Sequence, residues 1–245
     1  MKLANNTVLV TGGSSGIGLE LSKTLVEKGN TVIICGRSEA KLNAAQKAIP
    51  QLITYSCNLA NANECAQLAQ WVMHNYPTLN VLINNAAMVN RIDYLNDENA
   101  LELAQLEYNT NLLAPIRLIR LLYPLLKANN SATIVNVTTG LVYAPKAEYP
   151  FYNSTKAGLH SFTQTLRMKI PKHINVHEVF FPVVDTPWHD GKPPKIAISA
   201  QEAVHKMLKG LQNNQTEIRI KGVKALYWIS RIAPNFAIKL INRME

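Results

Sequence analysis

The chain has 245 residues, of which 47% are hydrophobic and 17% charged, a composition typical of a globular protein and unlike that of a disordered or collagen-like chain. The formal net charge of +9 comes mainly from Lys and Arg after residue 165, scattered rather than clustered with aromatic residues. This distribution argues against a nucleic-acid surface and favours a solvated basic face; attraction of an anionic cofactor or substrate is the alternative.

Short β-branched runs alternate with longer helical patterns along the whole chain. The predicted strands are Thr7–Val10, Thr31–Cys35, Leu52–Ser56, Val81–Asn84, Ala132–Val137, Asn175–Phe180 and Glu217–Ile220. The predicted helices are Ile17–Lys28, Glu39–Ala48, Ala62–Asn75, a long segment Leu101–Ala128, Tyr152–Lys169 and Ala200–Leu211. Several strands are apolar at consecutive positions, as expected for a parallel sheet buried on both faces.

Boundary signals agree with these elements. Gly29 is expected to end the first helix and Ser38 to cap the second, while Ser199-Ala-Gln-Glu202 has the pattern of a capping box. Pro115 and Pro124 predict a break or kink in the long helical segment. Because no linker, repeat or low-complexity stretch divides the chain, we predict one doubly wound α/β domain over residues 1–245, with a seven-stranded parallel sheet flanked by helices.

A glycine-rich turn joins the first strand to the first helix, in the sequence Thr11-Gly-Gly-Ser-Ser-Gly-Ile-Gly18. Gly12 permits a tight turn, Gly16 leaves room for a pyrophosphate, and Gly18 allows close packing of helix on strand. The helix N-terminus presents unpaired N–H groups to phosphates, and the hydroxyls of Ser14 and Ser15 can add hydrogen bonds. This arrangement predicts a dinucleotide site.

The residue after the second strand indicates which dinucleotide is bound. A carboxylate there would favour NAD, but the sequence has Cys35-Gly-Arg37, with no acidic residue before Glu39. A guanidinium can hold the 2′-phosphate of NADP by paired charge-assisted hydrogen bonds. We therefore favour NADP(H) over NAD; a solvent-facing arginine is the alternative interpretation.

Cysteine and histidine spacing gives no metal-binding pattern. Cys35, Cys57 and Cys65 are an odd set, which indicates free thiols in a reducing cytoplasm. His173 and His177 are four apart in a predicted strand, a separation of about 13 Å that is too long for one ion. We expect no metal.

The fifth strand leads to Thr138-Thr139, and Tyr152-Asn-Ser-Thr-Lys156 follows thirteen residues after Thr139. Positions four apart share a helix face, so Tyr152 and Lys156 are expected to point into the same space. A free phenol has a pKa near 10, and a neighbouring ammonium or an oxidised nicotinamide would favour its ionisation. Tyr152 is therefore predicted to be a proton donor or acceptor.

The last part of the chain suggests a lid and an apolar tail. Residues 183–200 are rich in proline and are expected to form a substrate lid, in which Trp188, His189 and Asp190 pack rather than react. The tail, residues 225–245, is interrupted by charges and proline and cannot span a bilayer. It is expected to pack on a partner subunit; resting on a membrane surface is the alternative. The N-terminus has no secretion-signal pattern, which favours a cytoplasmic location.

Together these motifs resemble those of a single-domain short-chain dehydrogenase/reductase, over essentially the whole chain. The resemblance rests on Thr11-Gly12-x-x-x-Gly16-Ile17-Gly18, Asn84-Asn85-Ala86-Ala87 and Tyr152-x-x-x-Lys156, in this order and spacing. The opening, the segment Asn111–Arg117 and the tail further resemble the DltE-type branch, which comprises bacterial oxidoreductases of poorly defined substrate. The resemblance implies an NADP-dependent oxidoreductase that interconverts a carbonyl and an alcohol, assembled as a homodimer or homotetramer.

The resemblance also implies roles for individual residues. Asn111 would hold a water in a proton relay, Thr139 would orient the substrate carbonyl, Tyr152 would pass the proton, and Lys156 would grip the nicotinamide ribose and lower the pKa of the tyrosine. Val184 and Thr186 would anchor the nicotinamide carboxamide. The remaining implied cofactor contacts are Gly12, Ser14, Ser15, Gly16, Ile17, Gly18, Arg37, Asn58, Leu59, Asn85, Ala86 and Ala87.

The chain departs from the family pattern in four ways. Thr139 replaces the usual serine, Phe181-Pro182 replaces Pro-Gly, Ala87 replaces a glycine, and Asn58 replaces an aspartate near the adenine. The Thr139 methyl stiffens the side chain, and Ala87 is a modest change if the backbone there has a negative φ.

Structural interpretations compete at several of these positions. Asn111 can instead satisfy backbone groups near Pro115, Thr138 can replace Thr139 as the orienting hydroxyl, and Asn84 and Asn85 can chiefly link adjacent strands. A nucleotide-binding regulatory or scaffolding protein is the alternative function. A sugar-nucleotide epimerase or dehydratase is disfavoured because it would need a further substrate domain after Thr186.

Overall fold

The computed structural model describes residues 2–189 and 191–243. Its main sheet contains β1 (Thr7–Thr11), β2 (Thr31–Gly36), β3 (Ile53–Ser56), β4 (Leu79–Asn84), β5 (Ala132–Thr139), β6 (Ile174–Phe181) and β9 (Glu217–Arg219). Two short strands, β7 (Val184–Asp185) and β8 (Ile198–Ser199), pair only with each other. The order of the main sheet is β3-β2-β1-β4-β5-β6-β9, and every neighbouring pair is parallel. The predicted doubly wound α/β fold with a seven-stranded parallel sheet is confirmed.

The helices are α1 (Gly16–Glu27), α2 (Glu39–Ala48), α3 (Ala62–Asn75), α4 (Ala100–Tyr108), α5 (Ala114–Ala128), α6 (Pro150–Lys169), α7 (Ala200–Gln212), α8 (Val223–Ile232) and α9 (Pro234–Arg243). The seven predicted strands agree with the structure to within two residues at each end. Helices α8 and α9 and the short strands β7 and β8 were not predicted from the sequence.

Helices cover both faces of the sheet, as a buried parallel sheet requires. One apolar cluster joins α1, α2 and α7 to one set of strand positions, for example Val8, Ile34 and Val137. The other joins α3, α5 and part of α6 to the alternate positions, for example Leu9 and Ile134. Because side chains alternate across a strand, each strand contributes to both clusters.

The predicted break in the long helical segment lies just before Pro115. Helix α4 passes into a π-helical turn, Asn109–Leu113, and Pro115 occupies the first turn of α5, where its missing N–H costs nothing. Helix α5 continues past Pro124 to Ala128, so Pro124 does not end the helix.

The predicted helix ends are present. Gly29 has φ +80°, and the N–H groups of Gly29 and Asn30 return to the carbonyls of Val26 and Leu25, closing α1. The Ser38 hydroxyl accepts from the Lys41 N–H at the start of α2. At α7 the Ser199 hydroxyl accepts from the Glu202 N–H, whereas the Glu202 carboxylate pairs with Lys206 at 3.1 Å.

The three cysteines are buried and unbridged, and burial raises the pKa of the Cys35 thiol to about 12. His173 and His177 bond separate carbonyls, those of Lys127 and Gln215, and so do not share a site. In the part of the chain that the structure describes, no helix has both the length and the apolar character needed to cross a bilayer.

Candidate active site

The sequence-predicted site residues collect at one edge of the main sheet. The glycine turn follows β1, Arg37 follows β2, Asn58 follows β3, Asn85 to Ala87 follow β4, Thr139 ends β5, and Val184 and Thr186 follow β6. Parallel strands place their carboxyl ends on the same edge, and the chain reverses its sheet order between β1 and β4. This reversal is the switch point at which doubly wound sheets bind ligands.

The glycine turn is a backbone cradle in which Gly12 and Gly18 lie too close to neighbouring atoms to admit a side chain. Gly12 and Gly16 have φ values of +65° and +52°, a region that favours glycine. A Cβ on Gly12 would lie 2.9 Å from the Ala86 Cα, and a Cβ on Gly18 would lie 2.1 Å from the Gly12 oxygen. Ile17, between these glycines, packs against the core. These glycines therefore let the turn, the loop after β4 and the start of α1 pack closely against one another.

The first turn of α1 leaves its N–H groups available. Ser15 occupies the N-cap position without a capping hydrogen bond from its side chain, and no acidic residue lies in the first turn. The Ser14 hydroxyl oxygen lies 3.2 Å from the position of a Cβ on Gly36, at the end of β2. Unpaired N–H groups and a positive helix end suit an anion, so these residues fit the phosphates of a dinucleotide.

The next two strand ends place Arg37 and Asn58 at the surface. Arg37 is exposed and forms no ion pair within the described residues. The Asn58 side chain accepts from the Ala60 N–H and thus stabilises its own turn, while Leu59 is buried. Asn58 also lines an open cleft of about 420 Å³, together with Ala60, Asn61, Glu102, Gln105, Leu106 and Asn109.

The amides of Asn84 and Asn85 link neighbouring elements, as the structural interpretation of the sequence predicts. Asn84 donates to the side-chain amide oxygen of Asn136 on β5 at 2.8 Å, and Asn85 donates to the backbone carbonyl of Thr11 at 3.0 Å. The Thr11 hydroxyl accepts from the N–H groups of Asn85 and Ala86, which fixes this loop against the glycine turn. Among the described non-glycine residues, a positive φ occurs at Asn5, Asn214 and Lys221, so Ala87 fits its position without strain.

Tyr152, Lys156 and Thr139 meet at the centre of the edge. The Tyr152 hydroxyl is hydrogen-bonded to the Thr139 side chain. The Lys156 Nζ lies 5.8 Å from the centroid of the Tyr152 ring, and it donates to the Val137 carbonyl at 2.9 Å. Lys156 is almost fully buried, at 1% exposure. The predicted meeting of a phenol, an ammonium and a hydroxyl is therefore present in this structure.

Burial determines the acid–base properties of this group. It raises the pKa of Tyr152 to about 12, an effect that the hydrogen bond from Thr139 partly offsets. Burial also lowers the pKa of Lys156 to about 8, against the field of Glu178. The lowered tyrosine pKa expected from the sequence is therefore not found in the protein by itself, because loss of solvent outweighs the favourable contacts.

Thr138 and Thr139 point to opposite faces of β5. The Thr138 hydroxyl donates to the buried Glu178 carboxylate at 2.9 Å, whereas Thr139 contacts Tyr152 and accepts from the Leu141 N–H. The alternation of side chains along a strand explains this difference. The hydroxyl beside Tyr152 is therefore that of Thr139, because the Thr138 side chain lies on the opposite face of β5.

The Asn111 amide is engaged with the backbone. Its oxygen accepts from the Met88 N–H and its nitrogen donates to the Met88 carbonyl, both at 2.7 Å. The nitrogen also donates to the Thr155 hydroxyl at 3.2 Å. Asn111 therefore fastens the loop after β4 to the π-helical turn, which agrees with a role in satisfying backbone groups, although at Met88 rather than near Pro115.

The predicted lid, residues 183–200, is closed at its base by β7 and β8. Val184 pairs with Ile198, and the Thr186 methyl carbon lies 3.3 Å from the position of a Cβ on Gly16. Trp188 donates its indole N–H to the Val89 carbonyl, with its ring 6.0 Å from that of Tyr149. The lid thus contacts both the glycine turn and the loop after β4. Asp190 lies outside the described residues.

The family-atypical pair Phe181-Pro182 lies where β6 leads into the lid. Phe181 is buried and pairs with Thr139 across the sheet, and it belongs to the core cluster beneath α1 and α7. The side chain of Phe181 is therefore part of the packing under the site.

Two buried carboxylates beside the site were not predicted. The Glu107 carboxylate accepts from the N–H and the side-chain amide of Asn90, and burial raises its pKa. Glu178 lies at 0% exposure on β6 and contacts Thr138, His160 and Arg167. A carboxylate inside an otherwise apolar strand or helix face was the sequence signal that could have identified them.

Glu178 also belongs to a group with metal-ligand types. Atoms of His160, Glu178 and Glu217 lie within 4.8 Å of one another. Arg167 pairs with both carboxylates, and Arg219 pairs with Glu217. These arginines already supply the positive charge that the carboxylates need, so the group is a salt-bridge network.

The comparisons with known proteins agree with this geometry. The family model described as short chain dehydrogenase matches residues 6–197. The chain is 43% identical to the Uncharacterized oxidoreductase DltE of Bacillus subtilis over the full length of both proteins. It is 30% identical to the Ketoacyl reductase HetN of a Nostoc species, covering 88% of this chain and 78% of that protein.

Solved structures share the fold. A short chain dehydrogenase from Burkholderia cenocepacia in complex with NADP superposes with a TM-score of 0.85 at 22% identity, with full coverage of both chains. A short-chain dehydrogenase/reductase from Burkholderia phymatum in complex with NAD superposes with a TM-score of 0.82 at 16% identity, covering 100% of this chain and 98% of that one.

Proposed function

Because the chain belongs to the short-chain dehydrogenase family of oxidoreductases, we propose that it interconverts a carbonyl and an alcohol with NADP(H) as cofactor. The observation that carries this proposal is the contact of the Tyr152 hydroxyl with Thr139 beside the buried Lys156. These groups lie at the same sheet edge as the glycine cradle, so a bound nicotinamide can reach them.

Tyr152 acts as the acid in the reductive direction. Its pKa of about 12 keeps the phenol protonated at physiological pH, ready to protonate a developing alkoxide. The Thr139 hydroxyl, held beside it, orients the substrate oxygen. The Lys156 ammonium favours the phenolate that remains after proton transfer, since an adjacent positive charge stabilises an anion in a buried site.

The glycine turn, Ser14 and Ser15 hold the cofactor phosphates, and Val184 and Thr186 contact the nicotinamide end. Bound NADPH supplies the hydride. Arg37 favours NADP over NAD because it is exposed at the end of β2, where no carboxylate competes for it. Solved structures in complex with NADP and with NAD both share the fold, so the preference rests on Arg37.

Residues 1–245 act as one nucleotide-binding domain, with residues 183–200 as the substrate lid. The Trp188 contact with Val89 and the β7–β8 pairing fix the base of the lid. Asn111 supports this arrangement by holding Met88, the residue before Val89. Its role in holding a water of the proton relay is part of the proposal.

The test is the substitution Tyr152→Phe, assayed by NADPH oxidation with a panel of aldehydes, ketones and acyl thioesters. Turnover is expected to fall by about 10²–10⁴-fold, since loss of a general acid costs this much. NADPH affinity, measured by fluorescence, should remain within a few-fold of the wild type. Tyr123→Phe removes a hydroxyl from α5, away from the site, and should leave turnover unchanged.

Two outcomes would contradict the proposal. Retained activity in the Tyr152 variant would refute its role as the acid. Complete inactivity of the wild-type protein across the panel, together with tight NADPH binding, would instead support a nucleotide-binding regulatory protein.

A further inference from the structure

Lys156 is an ammonium in an environment that disfavours its charge. Its side chain is buried at 1% exposure and donates to one neutral acceptor, the Val137 carbonyl. Burial alone would favour the uncharged amine, which could neither stabilise a phenolate nor act as a cation toward the cofactor. A nearby negative charge must therefore offset part of the burial.

Glu178 supplies that negative charge from the adjacent strand. Its carboxylate has no solvent exposure, and its field opposes the effect of burial on Lys156. The link between the two groups passes through β5: Val137 accepts from Lys156, and the next residue, Thr138, donates to Glu178 at 2.9 Å. We infer that the buried carboxylate of Glu178 is a positioning group that keeps the Lys156 ammonium charged beside Tyr152.

The carboxylate is itself fixed from helix α6. His160 Nδ1 lies 3.0 Å from each oxygen of Glu178, and Arg167 lies 3.7 Å from one of them. Tyr152, Lys156 and His160 are spaced four residues apart and so lie on one face of α6. Helix α6 therefore carries, on one face, the proton donor, the ammonium beside it and the imidazole that contacts the buried carboxylate.

Other charged groups around Glu178 set the strength of its field. Arg167 is shared with Glu217 on β9, and Arg219 pairs with Glu217 and donates to the Tyr143 hydroxyl. Burial raises the pKa of Tyr143 to about 12, and the Glu178 charge acts in the same direction. Arg167 is the cation that competes most directly with Lys156, because it contacts the Glu178 carboxylate itself.

The inference deepens the proposed function, in which Lys156 acts as a cation, and its test does not depend on activity. The Lys156 pKa is measured by NMR titration of protein labelled with ¹³C-lysine, with the signal assigned by Lys156→Arg. Glu178→Gln should lower this pKa by about one unit or more, because a nearby buried carboxylate raises the pKa of an ammonium by an amount of that order. Glu217→Gln, which removes a carboxylate of the same network on the neighbouring strand, should leave it nearly unchanged.

Arg167→Gln provides a test of opposite sign, should Glu178→Gln not fold. It removes the competing cation and retains amide donors, so the Lys156 pKa should rise. In the active protein, the alkaline limb of the pH–rate profile should move down in Glu178→Gln and up in Arg167→Gln. A change that only loosened the structure would lower the rate without these opposite shifts.

The inference is overturned if the Lys156 pKa in Glu178→Gln equals that of the wild type, or if it falls in Arg167→Gln. These results are distinct from failure of the proposed function. If the wild-type protein lacked reductase activity but the variants showed the expected changes in the Lys156 pKa, the effect of Glu178 on Lys156 would stand. Only the role of this effect in catalysis would then be refuted.

Discussion

Burial moves the two central ionisable side chains toward their neutral forms. The pKa of Tyr152 is raised to about 12 and the pKa of Lys156 is lowered to about 8, although the two groups are neighbours. The protein by itself therefore holds a proton donor rather than a base. A positive ring bound beside Tyr152 would shift the balance toward the phenolate, which suits a site that must work in both directions.

In the proposed function, the preference for NADPH over NADH depends on Arg37. Substituting Arg37→Ser should weaken NADPH binding about 10- to 100-fold, because one charge-assisted contact to a phosphate contributes about 1.5–3 kcal/mol. NADH binding should change little, since NADH has no 2′-phosphate. Fluorescence titration with both cofactors measures the two affinities.

The matched control for Arg37→Ser is Arg120→Ser, an exposed arginine on α5. Equal loss of NADH and NADPH affinity in the Arg37 variant would contradict a 2′-phosphate contact and would favour a solvent-facing arginine.

Single residues differed in how well they could be predicted. Tyr152 and Lys156 are spaced one helical turn apart, so the sequence alone places them together. The position of Glu178 near Lys156 depends on β6 lying beside β5, with Asn136 opposite Glu178, and this pairing is a tertiary feature that the sequence does not show. The pKa of Tyr152 was predicted in the wrong direction for the protein alone, because the sequence shows a neighbouring charge but not the extent of burial.

At the scale of elements, the strand–turn–helix unit of β1 and α1 depends on close backbone packing. Gly18→Ala would place a Cβ 2.1 Å from the Gly12 oxygen, so the helix must move away from the turn. We expect the free energy of unfolding to fall by about 1–3 kcal/mol, as it does for overpacked sites. As a fraction of the wild-type value, the loss of NADPH affinity should be larger than this loss of stability. Thermal unfolding with and without NADPH measures both effects.

Gly222→Ala is the control for this prediction, because nothing lies within 4 Å of a Cβ there and the φ of −59° is ordinary. It should leave stability and NADPH affinity close to those of the wild type. If Gly18→Ala behaved in the same way, the close packing of turn and helix would not be needed for the site.

Regular elements with clear periodicity and caps were predictable, whereas irregular ones were not. Helices α2 and α3 begin and end where the sequence places them. The π-helical turn at Asn109–Leu113 depends on the bonding of Asn111 to Met88, a contact distant in sequence. Helices α8 and α9 were missed because apolar residues mixed with Arg231, Pro234 and Lys239 gave no clear boundary.

At the scale of the whole molecule, the order of the strands brings distant segments to one edge. Residues after β1, β2, β3, β4, β5 and β6 are spread from Gly12 to Thr186, yet they meet because all the strands run in the same direction. Trp228, Ile232 and Phe236 on α8 and α9 remain exposed. These side chains are compatible with the homodimer or homotetramer that the family resemblance implies.

In the proposed function, Tyr152 delivers a proton beside a nicotinamide held by the glycine turn. A crystal structure with NADP⁺ bound is the decisive measurement. We expect the pyrophosphate to lie against Gly12–Gly18 and the Tyr152 hydroxyl to face the reactive ring carbon, with space between the hydroxyl and this carbon for one carbonyl group. A Tyr152 oxygen turned away from that carbon, or too distant for one carbonyl group to bridge, would contradict it.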